Sequence, residues 1–338
     1  MTTRVGWLYC GVNGQLPQGS TMALALVFPG QGSQSVGMLA ALAAEEPQVE
    51  RTFAEASSVL GYDLWQLCQQ GAEAELARTE RTQPAMLAAG VACFRAWRAH
   101  DGPMPVAMAG HSLGEYTALV CSGALEFPVA VALVQERGRL MQAAVPEGTG
   151  AMAAILGLDD AEAIAACAEA AQGEVVEAVN FNSPGQVVIA GHASAVTRAI
   201  EAAKARGAKR AVTLPVSVPS HSALMRGAAR QLGERLAATP LRLPDVPDVY
   251  TVDLARHASI DGIRAALEAQ LYRPVRWTET IRTMIERGVT TIIECGPGKV
   301  LTSLNRRIDR RPELAALAID DPKSLAQALQ ACREHMHG

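Results

Sequence analysis

The sequence predicts an α/β protein: a parallel sheet covered by helices, with a smaller α+β lobe inserted into it. Three observations carry this reading. Short continuous apolar runs, "ALALVF" (23–28) and "PVAMAG" (105–110), end in glycine-containing loops and lead into helical patterns, as buried parallel strands do. Between residues 150 and 216 the elements shorten and follow the order β-α-β-β-α-β. Beyond them the first rhythm returns, with "VTTIIE" (289–294) and the turn "CGPGK".

The elements follow in order. The strand 23–28 ends at "PGQGSQ", and helical patterns run from there to about residue 100. The strand 105–110 passes directly into Ser112 and an apolar helix. "FPVAVALVQERGRLMQAAV" (127–145) reads as a helix, with Pro128 in its first turn. The inserted lobe comprises a strand (150–158), a helix (160–171), two strands (174–182 and 186–191) joined by "SPG", a helix (193–207) and a closing strand (208–216). That order defines a ferredoxin-like unit. A helix from Ser222, another near 261–272, the strand 289–294 and a final helical stretch complete the chain. The division that results is a large subdomain of 22–147 and 218–338 and a small one of 148–217, with a cleft between them. The first 21 residues lack an apolar signal segment and are expected to form a leader outside the fold.

Composition narrows the function. Of the 338 residues, 49% are hydrophobic and 19% charged, which suits a soluble chain with ample core. A formal net charge of −4 speaks against a nucleic-acid binder, since a phosphate backbone needs a basic face. No apolar run is long enough to span a membrane. The seven cysteines (10, 68, 93, 121, 167, 295 and 332) contain no C-x-x-C pair, which points to reduced thiols and a cytoplasmic location.

The run "VAMAGHSLGEYTALV" (106–120) places Ser112 between Gly110 and Gly114 at a strand-to-helix turn. A nucleophile there needs small neighbours, because the turn is strained and the helix passes close to the strand. Backbone N–H groups at the helix start can hold a developing oxyanion, which makes Leu113 one donor. The loop "FPGQGSQ" follows another strand and should emerge at the same sheet edge, so the N–H of Gln31 is the second. In isolation Gly30 and Gly32 would read as a simple turn. Neither this loop nor "GPGK" (296–299) fits a phosphate loop.

Ser112 requires a base. His221, in "VSVPSHSALM", lies where the lobe returns and a helix begins, a position that favours the neutral imidazole. His111 adjoins the serine, but neighbours in an extended strand face opposite sides. No acidic residue stands in the place of a triad acid, so a backbone carbonyl or an amide side chain would orient His221. In the helix 127–145, positions 130, 133, 134, 137, 141, 144 and 145 share a face that is apolar apart from Arg137. A buried guanidinium must be paired, either with a nearby glutamate or with a substrate carboxylate.

The blocks "VFPGQGSQ", "GHSLGEY", "QERGRLMQ", "NFNSPGQVVIAG", "VSVPSHSALM", "QLYRPVRW" and "GPGKVL" resemble, in this order and spacing, the malonyl-CoA:acyl carrier protein transacylases of bacterial fatty-acid synthesis. The resemblance runs from about Met22 to the C-terminal region. It implies a hydrolase-like α/β core with a ferredoxin-like insert. It makes Ser112 the nucleophile, His221 its base, Arg137 the clamp on the malonyl carboxylate, and Gln31 with Leu113 the oxyanion hole. It also gives the carbonyl of Gln270 as the group that orients His221, and marks His111 and Asn182 as further active-site residues.

The reaction implied is ping-pong: malonyl-CoA acylates Ser112, and the phosphopantetheine thiol of acyl carrier protein then takes the malonyl group. Malonyl-CoA enters as substrate, with no permanently bound cofactor or metal. Lys209, Arg210, Arg273, Arg276 and Lys299 are the basic residues expected to meet an acidic carrier. A hydrolase using the same serine, an idle carrier-docking homologue and a polyketide acyltransferase are the competing readings.

Overall fold

The computed structural model describes residues 23–216, 218–246 and 248–337. The leader assigned to residues 1–21 lies outside the described residues.

Five strands form a wholly parallel sheet in the order β7-β2-β1-β8-β9. They are β1 (Leu24–Phe28), β2 (Ala107–Gly110), β7 (Asp248–Tyr250), β8 (Thr291–Cys295) and β9 (Ala315–Ile319). Every residue of β1 is buried, because helices cover both faces of the sheet. Its side chains alternate between two cores. Leu24, Leu26 and Phe28 pack with the helices that follow β1, whereas Ala25 and Val27 pack with Trp277, Ile281 and Leu304 on the other side. Phe28 pairs with Gly110, so the loops after β1 and β2 leave the same sheet edge side by side.

The inserted sheet is antiparallel, with β3 (Gly150–Leu156), β4 (Val176–Ser183), β5 (Gln186–His192) and β6 (Arg210–Thr213) in the order β4-β5-β3-β6. With its two helices, Asp160–Ala171 and Ala193–Ala205, this is the ferredoxin-like order read from the sequence. Asp159 starts the first of these helices by accepting a hydrogen bond from the Glu162 N–H at 2.8 Å. The helices cover one face of the small sheet. On the other face Met152 and Val188 turn towards the large sheet. β4 is tied to the segment just before the helix Trp277–Glu286, where the Phe181 N–H donates to the Val275 carbonyl (2.9 Å) and the Val275 N–H to the Val179 carbonyl (2.8 Å).

Two strands differ from the sequence reading. The final helical stretch divides into a helix (Val300–Ile308), β9 and a second helix (Pro322–His337), and β7 adds an edge strand. β9 is the sequence "AALAI", whose alanines favour a helix in isolation; pairing with β8 overrides that propensity. β7 has only three residues, too few for a periodic signal. Buried Glu294, on β8, receives the Leu301 and Thr302 N–H groups at 3.1 and 2.7 Å and fixes the start of the Val300–Ile308 helix.

Candidate active site

β2 ends at Gly110, and the chain turns through Ser112 into the helix Gly114–Cys121. Ser112 has φ 52°, a left-handed conformation that L-residues adopt at a cost. The flanking glycines are there because nothing larger fits. A Cβ on Gly110 would stand 1.7 Å from the Gly114 carbonyl carbon, and one on Gly114 would stand 2.0 Å from the Phe28 oxygen. The loop after β1 packs on the same turn, where a Cβ on Gly30 would come within 2.4 Å of the His111 oxygen. Gly30 is therefore part of the elbow's support rather than a simple turn residue.

The Ser112 hydroxyl lies 2.8 Å from His221 Nε2. His221 Nδ1 lies 2.7 Å from the Gln270 carbonyl oxygen. A carbonyl can only accept, so Nδ1 carries the proton and Nε2 offers its lone pair to the serine. Of the two orienting partners left open by the sequence, the structure has the backbone carbonyl. Burial, reinforced by the Arg137 charge, pushes the His221 imidazole down to about 3. Its neutrality comes from desolvation and a nearby cation, and a 3₁₀ turn, Ala223–Met225, leads from it straight into the helix Arg226–Ala238.

Arg137 is 1% exposed, and its Nη2 donates to Ser112 Oγ at 3.3 Å and to Gln270 Oε1 at 2.8 Å. No ion pair to it is found among the described residues, and its Nε has no acceptor among them. The direct glutamate partner that the sequence left possible is therefore absent from these contacts. Arg139, two residues on, is exposed and pairs with Glu136 at 2.7 Å.

Ser112, His221 and Arg137 line a cleft of about 510 Å³ between the two sheets. Gln31 and Leu113 line it beside them, and neither N–H is committed to an acceptor among the described residues. His111 also lines it, contrary to the expectation that it would face away, because the left-handed Ser112 breaks the strand alternation at this point. Its Nε2 lies 2.8 Å from Asn182 Oδ1, so these two residues pair with each other rather than with the serine.

A serine on a strained elbow, a carbonyl-oriented histidine and a buried cation at the same oxygen are the parts of an acyl-transfer site. The acyl transferase domain family matches residues 25–318. Malonyl CoA-acyl carrier protein transacylase of Escherichia coli is 59% identical over 306 residues, covering 90% of this chain and 98% of the relative. The chain belongs to the malonyl CoA-acyl carrier protein transacylase family. Among solved structures, a malonyl-transacylase in complex with a type II PKS acyl-carrier protein is 57% identical, with a TM-score of 0.90 over 91% of this chain and 99% of its own. An acyl carrier protein S-malonyltransferase from Vibrio cholerae is 55% identical, with a TM-score of 0.87 over 90% and 99%.

Two buried side chains of this transacylase carry no local signal in the sequence. Glu115, in the first turn of the elbow helix, is 3% exposed, and its Oε2 accepts from Gln270 Nε2 at 2.6 Å. A glutamate at a helix start ordinarily signals a solvated charge near the dipole, which is why the pattern did not mark it. The side chain of Gln270 was likewise unforeseen, since only its carbonyl had been assigned a role. Of the basic residues expected to meet a carrier, Arg276 binds Glu279 (2.7 Å) and Lys299 binds Asp320 (3.5 Å), and Lys209, Arg210, Arg273 and Lys299 are exposed. Among the described residues no cluster of His, Cys, Asp and Glu is suited to a metal, and no helix is long and apolar enough to cross a membrane.

Proposed function

We propose that the protein transfers the malonyl group from malonyl-CoA to the phosphopantetheine thiol of acyl carrier protein through a malonyl ester on Ser112. One observation supports this above the rest. The Ser112 oxygen is met at once by the base His221 and by Arg137, a buried cation with no ion-pair partner among the described residues.

As malonyl-CoA enters, its free carboxylate meets the Arg137 guanidinium, and the thioester carbonyl comes to the serine. His221 Nε2 takes the hydroxyl proton while Oγ forms the bond to the carbonyl carbon. The negative charge that grows on the carbonyl oxygen is held by the N–H groups of Gln31 and Leu113. The carbon–sulfur bond then breaks, and the departing CoA sulfur receives the proton from His221. In the second half the carrier thiol gives its proton to His221, attacks the ester and restores the serine. Arg137 supplies selectivity for a carboxylated acyl group, since an acetyl chain leaves its charge without a counterion. His111 and Asn182, hydrogen-bonded to each other, form one wall of the acyl site. Residues 148–217 act as the smaller subdomain that closes the cleft. Exposed basic residues, Arg210 and Arg273 among them, receive the acidic carrier.

The test is mass spectrometry of the intact protein after brief mixing with malonyl-CoA. One malonyl mass on the Ser112 peptide, absent in Ser112→Ala and discharged by the phosphopantetheinylated carrier, is the expected result. Label on another residue, or discharge at the same rate without carrier, would overturn the assignment.

A further inference from the structure

Glu115 is a buried carboxyl group with no part in the chemistry above, yet it lies one amide away from two of the residues that have one. The Gln270 side chain spans the gap, with all of its hydrogen-bonding groups occupied. Its Nε2 donates to Glu115 Oε2 at 2.6 Å and to the Ser112 carbonyl at 3.0 Å, and its Oε1 accepts from Arg137 Nη2 at 2.8 Å. These partners fix which way the amide faces. Turned over, its oxygen would confront two acceptors and its nitrogen the guanidinium. We propose that Glu115 is a positioning residue which, by locking the Gln270 amide, aims the Arg137 guanidinium at the acyl carboxylate and so sets the preference for malonyl over uncharged acyl thioesters.

Burial gives the lock its strength. Glu115, Gln270 and Arg137 are all at most 3% exposed, so the hydrogen bonds among them form away from bulk water, where each is worth more. Burial also pushes the Glu115 carboxyl up to about 8, against the pull of Gln270 and Arg137. The group is then largely the neutral acid near pH 7, with Oε2 as the acceptor for Gln270. Glutamine has the same shape and the same acceptor. The lock is thus a hydrogen bond, and it acts on Arg137 through the side chain of Gln270 while the carbonyl of the same residue independently orients His221.

This inference rests on malonyl transfer as the reaction, and the experiment separates the two. Acylation of Ser112 by malonyl-CoA and by acetyl-CoA is measured for the full-length wild type, Glu115→Ala, Glu115→Gln and Gln270→Leu, each checked for folding by circular dichroism and thermal midpoint. A wild type that takes up no malonyl group refutes the reaction and not the lock. With the reaction in place, Glu115→Ala should lower kcat/KM for malonyl-CoA about tenfold or more while acetyl-CoA changes less than about threefold. Glu115→Gln should restore the malonyl preference. Gln270→Leu, which keeps the carbonyl but removes the amide, should lose the same preference, and it carries the test if Glu115→Ala fails to fold. An unchanged malonyl-to-acetyl ratio in Glu115→Ala or Gln270→Leu overturns the proposal. So does an equal fall on both substrates, or a Glu115→Gln variant as impaired as the alanine.

Discussion

Replacing Arg137 with alanine separates a grip on the substrate from a structural charge. In the wild type the guanidinium is 1% exposed, with Gln270 Oε1 and Ser112 Oγ as its acceptors. Removing one member of a buried, hydrogen-bonded charge pair costs about 2–5 kcal/mol. The cleft beside Arg137 holds about 510 Å³, so water can enter the space left by the side chain and solvate part of the orphaned malonyl carboxylate. That places the loss at about 2–4 kcal/mol, or roughly 30- to 700-fold at about 1.4 kcal/mol per factor of ten. A second cost, about 1–3 kcal/mol for leaving Gln270 Oε1 without a donor, falls on folding and is common to every substrate. The assay is rapid-quench acylation of Ser112 by malonyl-CoA and by acetyl-CoA, with the thermal midpoint recorded beside it. Malonyl transfer should fall by the stated factor while acetyl transfer holds or rises, and Arg137→Lys should recover only part, since an ammonium lacks the planar fork. If both rates fall together, Arg137 is a structural charge and the carboxylate is read elsewhere.

Three further predictions concern the elbow and the base. Gly110→Ala sets a methyl against backbone atoms that cannot yield, so its thermal midpoint should collapse or the protein should be insoluble, whereas Gly227→Ala, with open space at its Cβ, should be little changed; a normal midpoint for Gly110→Ala would refute the packing argument. Because His221 is held near 3, the acid limb of malonyl-CoA acylation should lie well below the usual imidazole value of 6.5, and Arg137→Leu, which removes a charge that depresses His221, should move it upward; a wild-type limb at 6.5 would refute this. The same group is neutral in the folded protein and titrates near 6.5 when unfolded. Its contribution to stability is therefore complete above pH 6.5 and is lost by about 1.4 kcal/mol per pH unit as the pH falls from 6.5 towards 3, as denaturant melts across that range should show.

Much of the site was legible because its demands on the chain are local. The elbow needs glycines at 110 and 114 and a serine between them, and all three lie within five residues. Arg137 betrayed itself by interrupting an apolar helical face. His221 stood out where the lobe returns and a helix begins, and Gln270 came by resemblance alone, since no local pattern says which carbonyl a histidine will meet. Glu115 escaped because its meaning depends on a residue 155 positions away. The fold shows the same division. β1, β2 and the βαββαβ order follow from apolar runs and turn residues, whereas β7 and β9 become strands through their neighbours, and their own residues carry no signal strong enough to announce it.

Val275 ties the inserted sheet to the chain before the helix Trp277–Glu286 in a way that bears on engineering. Both of its backbone hydrogen-bonding groups are bound to β4, five residues beyond the Gln270 carbonyl that holds His221. Excising the insert to obtain a minimal catalytic core would strand that N–H and carbonyl and release the stretch of chain that aims the base. Grafting a foreign insert would raise the same problem, unless its second strand offered donors and acceptors at the positions of Phe181 and Val179. Chimaeras that carry the insert together with the segment 270–278 that it grips should keep an active serine, where those cut at the insert's own ends lose it.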